Sequence, residues 1–211
     1  MKNIIIIGSG GHAQSIASEI IINKKFRLIG FLDERKKKNE IIINLKNKKF
    51  RILGNLSQNI LKKFKKKTEF VIGIGKSEIR KKIDISHNLK WATIISKNSI
   101  LGKNVTIDKG SFIGSGVIIN YGTKIKKHTI INTSASIDHH NEIGNFCNIG
   151  PGVITGGNVK IKDFCQIGIS ATISNNIIIE ENCTIGAGSL ILKKCSKNSL
   201  YYGVPAKKNS L

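Results

Sequence analysis

A six-residue repeat governs more than half of this chain. From Ile95 to Ile191 an aliphatic residue returns at every sixth position without an insertion. Sixteen of these seventeen positions hold Ile or Leu, and Thr155 is the exception. The residue four places after each of these repeat positions usually has a small or slender side chain. A period of six fits neither a helix nor a simple alternating strand, and it is typical of a solenoid whose short strands are joined by tight turns.

The hexapeptide pattern predicts a left-handed parallel β-helix in which three hexapeptides make one triangular coil. We expect residues 91–211 to form this β-helix and a C-terminal tail. The four cysteines, Cys147, Cys165, Cys183 and Cys195, fall at the small-residue position of the repeat. Their spacing belongs to the repeat and differs from that of a zinc-binding CxxC pair, so we predict that they are core residues.

Residues 1–90 lack the repeat and predict a second domain. The stretch "KNIIIIGSGGHAQSIASEIIINKKFRLIGFLDE" has the pattern of strand, glycine turn, helix and strand. This is a small Rossmann-like βαβ unit, in which Gly10 and Gly11 open a helix N-terminus suited to phosphate. An acidic residue, Asp33, follows the second strand and suits a ribose or base contact. Ala13 stands where a third glycine would be, so a glycine turn that only packs a helix is the alternative.

The formal net charge of +22 raises the question of nucleic-acid binding. Residues 1–90 hold 22 Lys and Arg against 7 Asp and Glu, and residues 91–211 hold 13 against 6. The lysines form short runs without interleaved aromatic residues, which make up 6% of the chain. A nucleic-acid interface is therefore not expected. Attraction to small polyanions such as nucleotides is more consistent with this distribution.

The sequence predicts a cytoplasmic protein. It contains no run of eighteen apolar residues, the length that a membrane-spanning helix needs. The opening "MKNIIIIGSGG" has an apolar run of four isoleucines followed by glycines. That run is too short for the core of a signal peptide and is typical of a buried strand that enters a turn.

The stretch "INTSASIDHHNEIG" contains the best candidates for chemistry. It places His139 and His140 beside Asp138 and Glu142. A neutral imidazole can take the proton that an attacking amine loses, and a carboxylate such as Asp138 or Glu142 can fix its tautomer. Adjacent side chains in a strand point to opposite faces, which limits what Asp138 can reach. The alternative is that His139 is simply a turn residue on an exposed corner.

Several segments together resemble a known family. These are "GSGGHA", "FLDE", "VIGIGKSEIRKKI", "NTSASIDHHNEIG", the hexapeptides and "YGVPAKK". They resemble the sialic acid O-acetyltransferase family of bacterial sugar acetyltransferases, and within it the N-acetyltransferases of UDP-4-amino-4,6-dideoxy sugars in bacillosamine synthesis. The resemblance implies a homotrimer that uses acetyl-CoA and a nucleotide-linked amino sugar. It implies direct transfer with a histidine general base, and no metal.

The resemblance also implies roles for individual residues. The catalytic base falls on His139. The nucleotide-sugar contacts fall on Gly10, Gly11, His12, Asp33, Glu34 and Gly75, and the acetyl-CoA contacts fall on Asn148, Ile169, Gly186, Ala187, Pro205 and Lys207. Two positions depart from the family pattern. His140 stands where relatives place a carboxylate, and Asn148 stands where they place a histidine.

Three other functions remain open from the sequence. An O-acetyltransferase with a sialic-acid-like acceptor, or an N-acetyltransferase of a GDP-linked amino sugar, would use the same co-substrate. A zinc protein like the γ-type carbonic anhydrases would need His128, His139 and His140 as ligands. We disfavour the zinc protein because adjacent histidines on one strand diverge.

Overall fold

The structure is a computed structural model that describes residues 1–209. The chain divides into two compact units, Met1–Ile94 and Ile95–Leu211. The first unit is an α/β domain and the second is a β-helix, so the predicted fold class is confirmed. Within the described part of the chain, no helix has the length and apolar character needed to span a membrane.

The first unit contains five strands and three helices. They are β1 (Lys2–Ile7), α1 (Gly11–Asn23), β2 (Phe26–Leu32), β3 (Ile41–Leu45), β4 (Lys48–Gly54), α2 (Gln58–Phe64), β5 (Thr68–Ile72) and α3 (Ser77–Ser86).

The strand order β3-β4-β2-β1-β5 gives this unit a single place where the order reverses. Strand β1 pairs in parallel with β2 on one side and with β5 on the other. The loops after β1 and β5 therefore leave the same edge of the sheet in different directions. Ligands of open parallel sheets bind at such a reversal, beyond the carboxyl ends of the strands.

The core of the first unit explains its element pattern. Ile4–Ile7 are all fully buried, as expected for a central parallel strand that is covered on both faces. Helix α1 buries Ala13, Ile16, Ala17 and Ile20, which follow helical spacing. Trp91, the one tryptophan of the sequence, packs with Phe70 in the same core.

The second unit consists of two-residue strands followed by a hairpin. The strands are β6 (Ile94–Ile95), β7 (Ile100–Leu101), β8 (Thr106–Ile107), β9 (Phe112–Ile113), β10 (Ile118–Ile119), β11 (Lys124–Ile125), β12 (Ile130–Ile131), β13 (Ser136–Ile137), β14 (Glu142–Ile143), β15 (Asn148–Ile149), β16 (Ile154–Thr155), β17 (Lys160–Ile161), β18 (Gln166–Ile167), β19 (Thr172–Ile173), β20 (Ile178–Ile179), β21 (Thr184–Ile185), β22 (Leu190–Ile191), β23 (Leu200–Gly203) and β24 (Ala206–Asn209).

Apart from β24, which pairs antiparallel with β23, these strands form three parallel sheets that run along the solenoid. In each sheet a residue pairs with the residue one coil later, so that Ile131 pairs with Ile113 and Ile149. The repeat aliphatics from Ile113 onward form one continuous buried cluster with the small residues. The register predicted from the six-residue period is therefore confirmed from Leu101 through Ile191.

The corners between strands use the left-handed backbone conformation. Many corner residues other than glycine have positive φ, among them His128, His140, Phe146 and Asn158. This conformation is uncommon for residues with a Cβ. It turns the chain sharply, so side chains at a corner do not follow the alternation of a strand.

The last coil is shorter than the others and corrects one prediction. The Asn198 N–H donates to Glu181 O, 17 residues earlier, whereas the corresponding N–H groups of Asn182 and Phe164 donate to carbonyls 19 residues earlier. Cys195 therefore lies level with Ile179, in an aliphatic position, and not in the predicted small-residue position. It is nevertheless buried, as are the other three cysteines.

Candidate active site

The two adjacent histidines lie on a corner of the β-helix. Strand β13 ends at Ile137 and β14 begins at Glu142, so residues 138–141 form the turn between them. His139 and His140 are both exposed at this turn. The backbone is fixed by the neighbouring coils, because the His140 N–H donates to Tyr121 O and the Asn158 N–H donates to His139 O.

The imidazoles of the two histidines converge. His139 Nδ1 and His140 Nδ1 are 3.1 Å apart, and the two rings meet edge to face. The expectation that these neighbours diverge is wrong, because they occupy a corner in which His140 has a φ of 56°. This distance fits a hydrogen bond between the rings, and which Nδ1 donates depends on the tautomers. If His139 is the donor, its Nε2 keeps a free lone pair and is able to act as a base.

The carboxylate of Asp138 contacts the backbone of His139 and not its ring. Asp138 Oδ1 accepts hydrogen bonds from the Asn120 amide at 3.0 Å and from the His139 N–H at 2.8 Å. These two bonds, the Asn120 bond first, lower the pKa of the Asp138 carboxyl. Glu142 lies beyond the corner on β14, between Lys124 and Lys160 of the adjacent coils. The ring partner of His139 within the chain is therefore His140.

Two glycines make room for the two rings. A Cβ on Gly157 would lie 2.4 Å from Cε1 of His139, closer than any real contact, and a Cβ on Gly122 would lie 3.0 Å from Cδ2 of His140. The His140 ring also packs edge-on against Tyr121, with ring centroids 5.5 Å apart. The ring positions are therefore set by the coils on both sides of the turn.

The residues expected to contact acetyl-CoA fall mainly on a different corner. Ile169 and Ala187 occupy equivalent exposed turns on successive coils, next to Gly168 and Gly186. This column of open, apolar turns fits an extended acyl-carrying chain. Asn148 lies on strand β15, which leads into the same column of corners one coil before Ile169. Its amide donates to Gln166 Oε1 at 2.6 Å.

Pro205 and Lys207, the other expected acetyl-CoA contacts, are both exposed on the C-terminal hairpin. Lys207 lies on β24, where it pairs with Tyr202 of β23. Strand β23 continues the sheet of the solenoid by pairing in parallel with β21. The hairpin therefore extends the same sheet that carries Asn148.

The expected nucleotide-binding loops of the first unit meet at the sheet reversal. Helix α1 begins directly after Gly10, and neither Gly10 nor Gly11 has an atom within 4 Å of where a Cβ would be. The N–H groups of the first turn are thus approachable, which suits an anion. Gly8 and Gly73 pack together behind them, since a Cβ on Gly8 would lie 3.2 Å from Gly73 O.

The acidic residues of this site are engaged within the chain. Asp33 accepts hydrogen bonds from Ser9 Oγ at 2.6 Å and from the Arg35 N–H at 2.8 Å. Glu34 accepts one from the Leu56 N–H at 2.9 Å. Asp33 therefore connects the loops after β1 and β2, and Glu34 connects the loop after β2 to the segment after β4. Each carboxylate oxygen has further lone pairs that a ligand hydroxyl can use.

Sequence reasoning missed Arg80, a buried cation below the loop after β5. Its guanidinium donates to the carbonyl oxygens of Ile74 and Gly75 and so holds this loop. Burial, together with the charge of Arg80, lowers the pKa of His12 from 6.5 to about 4. His12 is therefore neutral at physiological pH. The only sequence signal was an arginine within a lysine-rich helix, which by itself is typical of a solvated face.

The metal alternative gains no geometric support. Among residues 1–209 there is no group of three or more His, Cys, Asp and Glu side chains arranged to hold a metal ion. His128 is fully buried and stacks on Phe146, with ring centroids 5.3 Å apart. His128 lies in the turn between β11 and β12, which is a different corner column from that of His139 and His140.

Two family models match parts of the chain. The PglD N-terminal domain matches residues 3–84, and the bacterial transferase hexapeptide (six repeats) matches residues 158–193. No curated protein sequence matches the chain.

Solved structures match over nearly the full length. The acetyltransferase domain of PglB from Neisseria gonorrhoeae FA1090 is 23% identical, with a TM-score of 0.88 over 99% of this chain and 100% of that one. PerB from Caulobacter crescentus, in complex with CoA and GDP-perosamine, is 23% identical, with a TM-score of 0.88 over 100% and 98%. WeeI from Acinetobacter baumannii AYE is 20% identical, with a TM-score of 0.83 over 99% and 100%. At these identities the matches establish a shared fold.

The lowered pKa of His12 predicts a pH-dependent stability for the first unit. As the pH falls from 6.5 to about 4, the unfolded imidazole takes up a proton and the folded one does not. Stability is therefore lost across this window, by up to about 3 kcal/mol. The substitution His12→Gln should remove this component, so the variant should lose less stability than the wild type between pH 7.5 and 4.5.

Urea titrations followed by Trp91 fluorescence would measure this effect, because the one tryptophan lies in the core of the same unit. An unchanged loss of stability in the variant would show that His12 does not carry the effect.

Proposed function

We propose that this chain is an acetyl-CoA-dependent N-acetyltransferase that acts on the amine of a nucleotide-linked amino sugar. The observation that carries the proposal is the imidazole pair of His139 and His140 on an exposed corner of a transferase-type β-helix. The names of the matched structures support it, since they include acetyltransferases with acetyl-CoA or with CoA and GDP-perosamine bound. We propose UDP-4-amino-4,6-dideoxy sugars as the acceptor class, with the GDP-linked class as the closest competitor.

The reaction requires one base. The neutral amine attacks the thioester carbonyl, and His139 Nε2 takes the proton that the nitrogen loses. The C–S bond then breaks, and the same proton passes to the departing thiolate. His140 accepts the hydrogen bond from His139 Nδ1–H throughout, which keeps the reactive tautomer in place. Proton and charge balance without a protein nucleophile.

The cysteines are poor candidates for an acyl-enzyme intermediate. All four are buried in the solenoid. Burial also raises the pKa of the Cys147 thiol, which lowers its nucleophilic fraction at neutral pH. A direct transfer between the two bound substrates is the simpler route.

We also propose that the active unit is a homotrimer, supported by one face of the solenoid. The sheet from β7 to β22 points Ile100, Ile118 and Ile154 outward, with exposed fractions of 64%, 36% and 52%. In this outward row Ser136 lies between Ile118 and Ile154, and Thr172 follows Ile154, so the face combines isoleucines with small hydroxyl residues. Protein interfaces bury faces of this kind. The His139 corner follows strand β13 of this sheet, and the Ile169 corner precedes its strand β19. The two corners thus lie on either side of one face. If a neighbouring chain packs on that face, the Ile169 corner of one copy comes close to the His139 corner of the other.

The assay that tests the activity measures CoA release from acetyl-CoA with a panel of acceptors. The panel holds UDP- and GDP-linked 4-amino sugars and free sialic-type sugars. We expect turnover with one class of amino sugar, and a loss of about 10² to 10⁴ in kcat for His139→Ala, the range that a general base supplies. Turnover only with a hydroxyl acceptor would make the chain an O-acetyltransferase, and no CoA release with any acceptor would refute the proposed function.

The role of His140 predicts a graded series. His140→Asn keeps a residue that tolerates positive φ but removes the ring, and it should lower kcat by about tenfold or more while KM changes little. His140→Glu supplies a carboxylate that stabilises the imidazolium, so the acidic limb of its pH–rate profile should move to higher pH. Unchanged kcat and pH profile in both variants would exclude His140 as the partner of the base.

The trimer proposal predicts the behaviour of Ile154→Asp. A charge at this row should disrupt the association, because burying it unpaired is costly. Light scattering after gel filtration should give three times the 23.2 kDa chain mass for the wild type and a smaller mass, with lower activity, for the variant. A monomeric and fully active wild type would contradict the proposal.

A further inference from the structure

The one break in the aliphatic series lies beneath the candidate base. Thr155 is the only polar residue among the seventeen repeat positions, and Asn141 is the only amide at the small-residue positions. Thr155 has 3% and Asn141 has 1% of its surface exposed, so both lie inside the solenoid. Buried polar groups of this kind reduce stability unless they are hydrogen-bonded, and here their bonds lead to the turn that carries His139.

Asn141 makes the two hydrogen bonds that are usual for a polar side chain at its position in the repeat, and it makes one further hydrogen bond. At the equivalent position Thr129 donates to Gly144 O and accepts from the Cys147 N–H. Asn141 likewise donates to Gly156 O, at 3.1 Å, and accepts from the Val159 N–H. Its longer amide also reaches Thr155 Oγ1 at 2.6 Å. The additional reach is thus specific to Asn141.

Thr155 changes the backbone ladder directly before His139. On other coils the corresponding N–H groups, such as those of Asn132 and Gly150, donate to a backbone carbonyl of the next coil. The Asp138 N–H instead donates to the Thr155 hydroxyl, at 3.1 Å. A side chain therefore holds the residue that starts the turn. The next two residues after Thr155 are Gly156 and Gly157, and Gly157 provides the space for the His139 ring.

We infer that Thr155 and Asn141 are positioning residues for the His139 imidazole. The Thr123 hydroxyl holds this turn from the preceding coil, since it donates to Asp138 O and accepts from the Asn141 N–H. The hydrogen bonds of Thr155 and Asn141 hold it from the following coil, and the turn fixes where the ring lies relative to Gly157 and His140. An isoleucine at position 155 would satisfy the apolar repeat but would leave the Asp138 N–H and the Asn141 amide without this acceptor. The inference rests on the proposed function only in naming His139 as the base.

The test compares matched variants of the full chain. Thr155→Val removes the hydroxyl and keeps the shape, and Thr155→Ser keeps the hydroxyl. Thr129→Val removes an equally buried hydroxyl from the same solenoid, away from the His139 turn. Asn141→Thr keeps the two corner bonds, as at Thr129, but cannot reach residue 155. It serves as the second disruptive variant where Thr155→Val does not fold.

The first readout does not depend on activity. Histidine ring signals are recorded by NMR on histidine-labelled protein, with His139→Ala used to assign the His139 signal. We expect Thr155→Val and Asn141→Thr to shift the His139 signal, Thr155→Ser to restore it, and Thr129→Val to leave it in place. An unshifted His139 signal in folded Thr155→Val or Asn141→Thr, or an equal shift in Thr129→Val, would overturn the inference.

The second readout is kinetic and is separable from the first. With an active acceptor, Thr155→Val should lower kcat by about tenfold, with KM for acetyl-CoA unchanged, and Thr129→Val should lower the melting temperature but keep kcat. Equal kcat in Thr155→Val and wild type would also overturn the inference. A wild type that is inactive with every acceptor would refute the proposed function, and the NMR comparison would still decide whether these residues position the ring.

Discussion

The backbone ladder between successive coils is the constraint on which the second unit depends. Each short strand has only two residues and cannot be stable alone, so its N–H and C=O groups are satisfied by the coils before and after it. The repeat aliphatics stack in one column inside this ladder. Because the period never changes before the last coil, the chain position of a residue determines its face and corner.

Much of the second unit therefore follows from the sequence. The six-residue period predicts which residues are buried, and it brings residues such as Ile169 and Ala187 into one column. The period predicts less at the corners, where the backbone adopts positive φ. Strand alternation suggested that His139 and His140 diverge, whereas the left-handed backbone at His140 turns the rings together. Likewise the shorter last coil moved Cys195 out of its predicted position.

The first unit was predictable in outline but not in its electrostatics. Glycines at 8, 10 and 11 and the apolar run at Ile4–Ile7 mark a strand, a turn and a helix, and these form as expected. The burial of Arg80 was not predictable, because a lysine-rich helix gives no sign of which cation turns inward. The burial of His12 and, second to it, the charge of Arg80 lower the pKa of His12, so a neutral imidazole lies near a fixed positive charge. A site of that kind attracts an anion without placing a second cation in it.

Departures from a strong pattern are informative because they reduce stability locally. The repeat places an apolar residue at sixteen positions and Thr155 at the seventeenth. The chain therefore buries a hydroxyl at Thr155 and an amide at the nearby Asn141. In the proposed mechanism, an imidazole partner such as His140 stabilises the His139 imidazolium less than a carboxylate would. The proposed role of His139 as a base would then depend mainly on the position of its ring. A rigid turn that is held by hydrogen bonds inside the solenoid supplies that geometry. We therefore infer that Thr155 and Asn141 act together with the histidine pair.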